Sequence, residues 1–94
     1  MNAYMVVCTF KEGTEMSDVY GVIAEEQSKA AELRAAGKVG SFYLATLSRG
    51  TVFIETFASS VEEATTTVQS LPMAVWWNID VFPLSAPGNP GVAS

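Results

Sequence analysis

The pattern of apolar and polar positions along the chain predicts four strands and two helices in the order βαββαβ. Period-two runs rich in β-branched and aromatic residues predict strands over Asn2–Phe10, 38–48, Thr51–Ala58 and 76–84. Residues 17–37 and 59–71 show helical patterning instead. Since two helices cover one face of a four-stranded sheet, residues 1–84 are expected to form one ferredoxin-like α+β domain. The Pro/Gly/Ser-rich residues 85–94 are expected to form an extended arm.

Boundary residues support the two helices. Ser17 or Asp18 is expected to cap the first helix, and Gly37 is expected to end it in the left-handed conformation. Ser60 and Glu63 have the spacing of a capping box at the start of the second helix.

Both faces of the predicted sheet are apolar. In the first strand Met5 and Val7 lie on one face, while Val6 and Cys8 lie on the other, and the strand Thr51–Ala58 alternates in the same way. A sheet with one solvated face would be polar on that side. We therefore expect a symmetric homodimer that joins the two sheet faces, with the arm available for a higher oligomer.

Composition narrows the classes of partner and chemistry. The 94 residues are 49% hydrophobic and 16% charged, and the net charge of −5 makes nucleic acid and anionic membrane poor partners. There is no histidine, one cysteine and no glycine-rich nucleotide motif, so no metal and no cofactor is expected. With no targeting segment in view, the cytoplasm is the expected location.

A carboxylate falls on the apolar stripe of the first helix. The stripe repeats at three- and four-residue spacing through Val19, Ile23, Ala30, Leu33 and Gly37. Glu26 occupies the position between Ile23 and Ala30, so its side chain is expected to face the sheet. It either pairs with Lys29 at the edge of the stripe or acts as an acid/base group on the floor of a helix–sheet cleft.

Other polar and aromatic residues are weaker candidates. Tyr43 is a candidate for the cleft wall, and Arg49, in the predicted tight turn with Gly50, is a candidate for binding an anionic substrate. Glu55 is expected to form an ion pair at the dimer interface. If Trp76 and Trp77 are both extended, one enters the cleft and the other enters the dimer interface.

Several segments together resemble the muconolactone delta-isomerase family, namely AEE, AAELRAAGKVG, SVEEA and, above all, LPMAVWWNIDVFPL. The resemblance covers about residues 1–90. It implies a cofactor-free, dimeric α+β barrel, often assembled into rings through C-terminal arms, that moves a proton within an unsaturated lactone acid of aromatic catabolism. It also implies that Glu26 matches the family's carboxylate on the first helix.

The chain departs from the family pattern at basic positions. Ile23 stands where the family has a lysine, and the second strand has no counterpart of the family's tryptophan, arginine and histidine. Two alternatives to an isomerase therefore stay open. One is a cofactor-independent oxygenase with Trp76 or Trp77, Tyr43 and Asn78 in its pocket, by analogy of fold. The other is a non-catalytic dimeric protein that binds a small molecule.

Overall fold

A computed structural model describes residues 1–85 of the chain, and these form a four-stranded antiparallel sheet with helices on one side. The strands are β1 (Asn2–Phe10), β2 (Val39–Ala45), β3 (Thr51–Ala58) and β4 (Trp77–Pro83). The helices are α1 (Met16–Tyr20), α2 (Ile23–Ala35), α3 (Thr46–Arg49) and α4 (Val61–Gln69), followed by a 3₁₀ helix, Pro72–Trp76. The predicted ferredoxin-like fold is confirmed. The predicted arm lies, apart from Ser85, outside the described residues.

The strand order is β2-β3-β1-β4, which puts the two long strands in the centre. Val6 pairs with Ile54 and Val81, and both neighbours run antiparallel to β1. The side chains that share the face of Val6 and Ile54 are buried under α2 and α4, and this face is called the helix face below. Leu33 of α2 and Val68 of α4 belong to the same apolar cluster.

The opposite face of the sheet, called the open face below, is covered by no other described element. Its central residues are the apolar Met5, Val7, Phe53 and Phe57 together with the acidic Glu55, which lies opposite Met5, and all five are of intermediate exposure. Along β3, residues of intermediate exposure on the open face alternate strictly with buried residues on the helix face. Apolar side chains therefore occupy both faces of the two central strands, as predicted.

The predicted first helix is two helices. The helix is interrupted at Gly21, whose N–H donates to Ser17 O at 3.2 Å, and α2 then begins at Ile23. Glycine has a low helix propensity, which accounts for a break at this position. The expected cap at Ser17 or Asp18 is wrong, because α1 begins one residue earlier and its N-cap, Glu15, makes no side-chain capping bond.

The expected end of the helix is confirmed. Gly37 has φ +74°, its N–H donates to Arg34 O, and the Lys38 N–H donates to Leu33 O, which together form a Schellman motif. At α4, Ser60 Oγ accepts the Glu63 N–H at 3.1 Å, as the capping-box spacing predicts. The Glu63 carboxylate accepts from Ser59 Oγ, and this bond lowers the pKa of Glu63.

Two predicted boundaries in the second half of the chain are wrong. The expected two-residue turn at Arg49 is the short helix α3, which closes where the Gly50 N–H donates to Thr46 O at 3.1 Å. The strand expected over 76–84 begins one residue later, because Pro72 starts a 3₁₀ helix that continues through Trp76. Within residues 1–85 no helix is long and apolar enough to cross a membrane.

Candidate functional site

A cavity of about 790 Å³ lies between the helices and one end of the sheet, and it is called the helix–sheet cavity below. Its lining comes from every layer of the domain: α1 and α2 form one wall, and the helix face of the sheet forms the other. Phe10, Phe42 and Val52 contribute apolar surface from three strands, and Met73 contributes from the 3₁₀ helix. A volume of this size lies within the range of roughly 300–1,000 Å³ typical of small-molecule sites.

Glu26 supplies the carboxylate of this cavity, where the sequence predicts it. The apolar stripe of α2 turns it toward the sheet, and the residue is 8% exposed. Its Oε1 accepts the Met73 N–H at 2.9 Å. This N–H belongs to the first turn of the 3₁₀ helix, where backbone donors have no partner within the helix. The second oxygen, Oε2, accepts no hydrogen bond from the described residues.

Burial governs the protonation of Glu26. Desolvation raises the pKa of the carboxyl above its ordinary value of 4.5, and the hydrogen bond from Met73 opposes this effect in part. The neighbouring Cys8 thiol is fully enclosed on β1. Its own burial, followed by the charge of Glu26, raises the pKa of Cys8 to about 12. Glu26 therefore lies where a negative charge is costly, and a thiolate does not form beside it.

The ion pair proposed as the alternative role of Glu26 is not present. Lys29 Nζ lies 3.3 Å from Glu32 Oε1, on the outer side of α2, and no described cation pairs with Glu26. Glu26 is therefore buried without a counter-ion among the described residues. Its side chain faces the helix–sheet cavity, and the acid/base role of Glu26 stays a prediction.

The two tryptophans occupy different elements. Trp77 lies on β4, is 4% exposed, lines the helix–sheet cavity and packs edge-to-face on Phe10 with ring centroids 6.2 Å apart. Trp76 ends the 3₁₀ helix and is half-buried outside the cavity lining. The expected alternation between faces is wrong, because Trp76 is not in a strand. One tryptophan does enter the cleft, as predicted.

The indole N–H of Trp77 is an unpaired donor. Nε1 is enclosed and has no hydrogen-bond partner among the described residues. Leaving a buried donor unpaired costs roughly 1–3 kcal/mol, so an acceptor brought by a ligand would recover part of that cost.

The other predicted ligand-binding residues lie away from the cavity. Tyr43, 54% exposed, pairs with Phe53 and so lies on the open face, and Asn78 pairs with Thr9 on that same face. Arg49 is exposed at the end of α3. Of the six candidates the structure brings only Glu26 and Trp77 together, and binding roles for Tyr43, Asn78, Arg49 and Trp76 stay predictions.

Glu55 has a local partner that the sequence did not indicate. The register of β2 against β3 shifts between Val39 and Phe42, and the Ser41 N–H at this bulge donates to Glu55 Oε1 at 3.1 Å. A Cβ added at Gly40 would overlap the same oxygen, which explains why glycine suits this position. Glu55 makes no ion pair with another described residue.

Arg34 also lines the cavity, although the sequence analysis did not select it. It follows Glu26 by eight residues on α2, which places it about 80° around the helix axis from Glu26, at the edge of the same broad face, and it is exposed. That spacing was the available signal. Its Nε donates to Gly40 O at 3.2 Å, and its Cζ lies 5.5 Å from the centroid of the Phe42 ring.

The fold and the cavity define a class of protein, a ferredoxin-like α+β domain with a buried carboxylate between the first helices and the sheet. Residues 3–89 match the family described as muconolactone delta-isomerase. The match spans most of the chain, and the chain belongs to this family. A search of curated proteins found no significant match.

Proposed function

We propose that this protein is a cofactor-free isomerase that shifts a proton within a small unsaturated cyclic substrate of the lactone type, from aromatic catabolism. The observation that carries the proposal is Glu26, a buried carboxylate without a counter-ion in the wall of an apolar cavity. Membership in the muconolactone delta-isomerase family supports the same reaction class.

The geometry of Glu26 suits a group that takes up and returns one proton. Met73 holds Oε1, which leaves Oε2 for the substrate. In the first step the carboxylate removes a proton from a saturated carbon next to a double bond that is conjugated with the lactone carbonyl, and the electron pair of that C–H bond enters the conjugated system. In the second step the protonated Glu26 returns the proton to another carbon of that system, and the double bond moves. No atom or electron is gained or lost.

The environment of Glu26 tunes this exchange. A carboxylate whose pKa lies above its ordinary value is a stronger base and, once protonated, still gives the proton back readily. The unpaired N–H of Trp77 is a candidate donor for charge that develops on the substrate carbonyl oxygen, once the indole shifts to expose it.

Turnover of muconolactone as the probe substrate tests the proposal. Glu26→Gln keeps an oxygen acceptor for the Met73 N–H and removes the base, so kcat should fall by about a hundredfold or more. Glu25→Gln is the matched control, because Glu25 is the exposed neighbour on α2. It should retain the rate of the unchanged protein.

An unchanged rate in Glu26→Gln would refute the assignment of the base. If the unchanged protein binds the probe without turning it over, the non-catalytic binding protein becomes the better description. The oxygenase alternative has less support, since Tyr43 and Asn78 lie outside the cavity.

We further propose that the protein is a homodimer joined through the open face. Met5, Val7, Phe53 and Phe57 would otherwise leave apolar surface in water at the centre of the sheet. A role of the C-terminal arm in a higher oligomer concerns residues outside the described ones and stays a prediction.

A further inference from the structure

The buried part of the helix–sheet cavity offers a ligand one carboxylate and one uncharged donor. Glu26 Oε2 accepts no hydrogen bond from the described residues, and Trp77 Nε1 donates to none of them. Both side chains are buried. The other charged or amide side chains of the lining, Gln27 and Arg34, are exposed at its edge. A ligand in this part of the cavity therefore meets Glu26 and Trp77 as its buried polar side chains.

No lysine or arginine of the chain lies beside Glu26. All five of these residues are within the described part of the chain, and only Arg34 lines the cavity. Arg34 follows Glu26 by eight positions, about 12 Å along the axis of α2, and it is exposed with its Nε bonded to Gly40 O. Water screens the charge of such a side chain. No basic side chain of the chain therefore offsets a second negative charge next to Glu26.

The surroundings of Glu26 are apolar, which makes a second charge costly. Ile23 and Ala30 line the cavity one turn before and one turn after Glu26 on α2. As a general base, Glu26 is ionised when the substrate arrives, so a ligand carboxylate would add a like charge. Like charges repel strongly where the local dielectric constant is low, and the ligand anion would also lose its hydration. A ligand without charge avoids both costs.

Trp77 supplies a donor that matches an uncharged ligand. Its indole N–H carries no net charge, and Trp77 belongs to the lining of the same cavity as Glu26. Because Nε1 is enclosed, the indole has to turn before a ligand reaches it. A carbonyl oxygen is a suitable acceptor, and the bond would remove the cost of an unpaired buried N–H.

We propose that the substrate of this cavity is a small unsaturated lactone without a free carboxylate, and that Trp77 recognises its carbonyl oxygen through Nε1. The inference rests on the proposed function for the proton shift at Glu26. It adds the charge state of the substrate and the residue that determines specificity for its carbonyl. Muconolactone, the probe used above, carries a carboxylate. Its primary amide, which has nearly the same shape without the charge, should therefore be the better substrate.

Calorimetric titration with inert probes tests the charge of the ligand. The saturated lactone (5-oxotetrahydrofuran-2-yl)acetate has no carbon–carbon double bond to move, and its primary amide is the uncharged counterpart. Near pH 8 the unchanged protein should bind the amide at least about tenfold more tightly than the acid, because the acid adds a like charge to the cavity. In Glu26→Gln this preference should shrink, since that like charge is gone. The exposed control Glu25→Gln should keep it.

Matched tryptophan variants test the contact with the carbonyl. Trp77→Phe keeps an aromatic ring against Phe10 and removes the N–H, so it should weaken binding of the lactone amide about three- to tenfold. The ring ether 2-(tetrahydrofuran-2-yl)acetamide has no carbonyl in its ring and should bind equally to Trp77→Phe and to the unchanged protein. Trp76→Phe, the same change outside the cavity lining, should leave both affinities as they are. Circular dichroism checks that each variant is folded.

The outcomes separate this inference from the proposed function. Binding of the acid as tightly as the amide, an undiminished amide preference in Glu26→Gln, or no binding by any probe would overturn it. So would a Trp77→Phe variant that keeps its affinity for the lactone, or that loses lactone and ether equally. A kcat/KM for muconolactone above that of its amide would overturn the inference and still support the proposed function. Conversely, an amide preference that depends on Glu26 and a carbonyl contact at Trp77 stand even if Glu26→Gln retains full activity.

Discussion

At the scale of single residues, Glu26 is buried on the sheet side of α2, where its carboxylate accepts the Met73 N–H. The three- and four-residue spacing of α2 predicts that Glu26 faces the sheet, and the residue is buried there. Its partner could not be predicted, because Met73 lies 47 positions away and its N–H is available only through the geometry of a 3₁₀ turn. Arg34 had a signal in its spacing from Glu26, yet its contacts with Gly40 and Phe42 depend on how β2 returns past the helix.

The burial of Glu26 predicts a pH-dependent stability difference. Below its ordinary pKa of 4.5 the carboxyl is protonated in both the folded and the unfolded state, so Glu26→Gln should match the unchanged protein. Because burial raises the pKa of Glu26 in the folded state, the free energy of unfolding falls as the pH rises from 4.5 through the folded-state pKa. The free energy of unfolding of Glu26→Gln should therefore exceed that of the unchanged protein increasingly above pH 4.5, up to a plateau.

Urea unfolding at a series of pH values measures this difference. Glu25→Gln provides the control, because an exposed carboxylate should give no such rise. A Glu26→Gln variant that becomes less stable relative to the unchanged protein as the pH rises would mean that the charged form of Glu26 is stabilised in the folded state.

At the scale of elements, period-two patterning predicted the central strands correctly, whereas the short helices were not predicted. The bounds of β1 and β3 match the prediction, since both central strands are apolar on both faces. The α1–α2 break, α3 and the 3₁₀ helix Pro72–Trp76 were missed. The helices α1 and α3 and the 3₁₀ helix are each five residues or shorter. Sequences of that length carry too little periodicity to separate a turn of helix from a strand end.

The bulge in β2 is a further element-scale feature that patterning does not reveal. A register shift adds residues on one strand without changing the apolar character of either face. Gly40 and Glu55 are individually unremarkable in the sequence, and their relation follows only from the pairing of β2 with β3. The bulge matters for the cavity, because it presents the Gly40 carbonyl that orients Arg34.

At the scale of the whole molecule, the open face is the feature that the described part of one chain leaves incomplete. Phe53 lies at its centre, opposite Val7 on the neighbouring strand. The cross-strand pair is apolar and half-buried, whereas a solvated face would be polar. The surface therefore favours a second copy of the chain.

Sedimentation velocity at micromolar concentration tests the dimer. The unchanged protein should sediment with twice the monomer mass, and Phe53→Glu should sediment as a folded monomer, because two buried charges would face each other across the symmetric interface. Val61→Glu, an equivalent change at an exposed residue of α4, should remain dimeric. Circular dichroism checks that each variant is folded. A monomer in the unchanged protein would contradict the proposal.

The proposed proton transfer depends on the burial of the Glu26 carboxylate, which raises its pKa above the ordinary value. The most direct measurement is its own titration, followed through the side-chain carboxyl carbon by NMR, with Glu26→Gln to assign the resonance. We expect a midpoint above 4.5, because desolvation outweighs the hydrogen bond from Met73. A midpoint at or below 4.5 would contradict it, since Glu26 would then be a stabilised anion and a weak base.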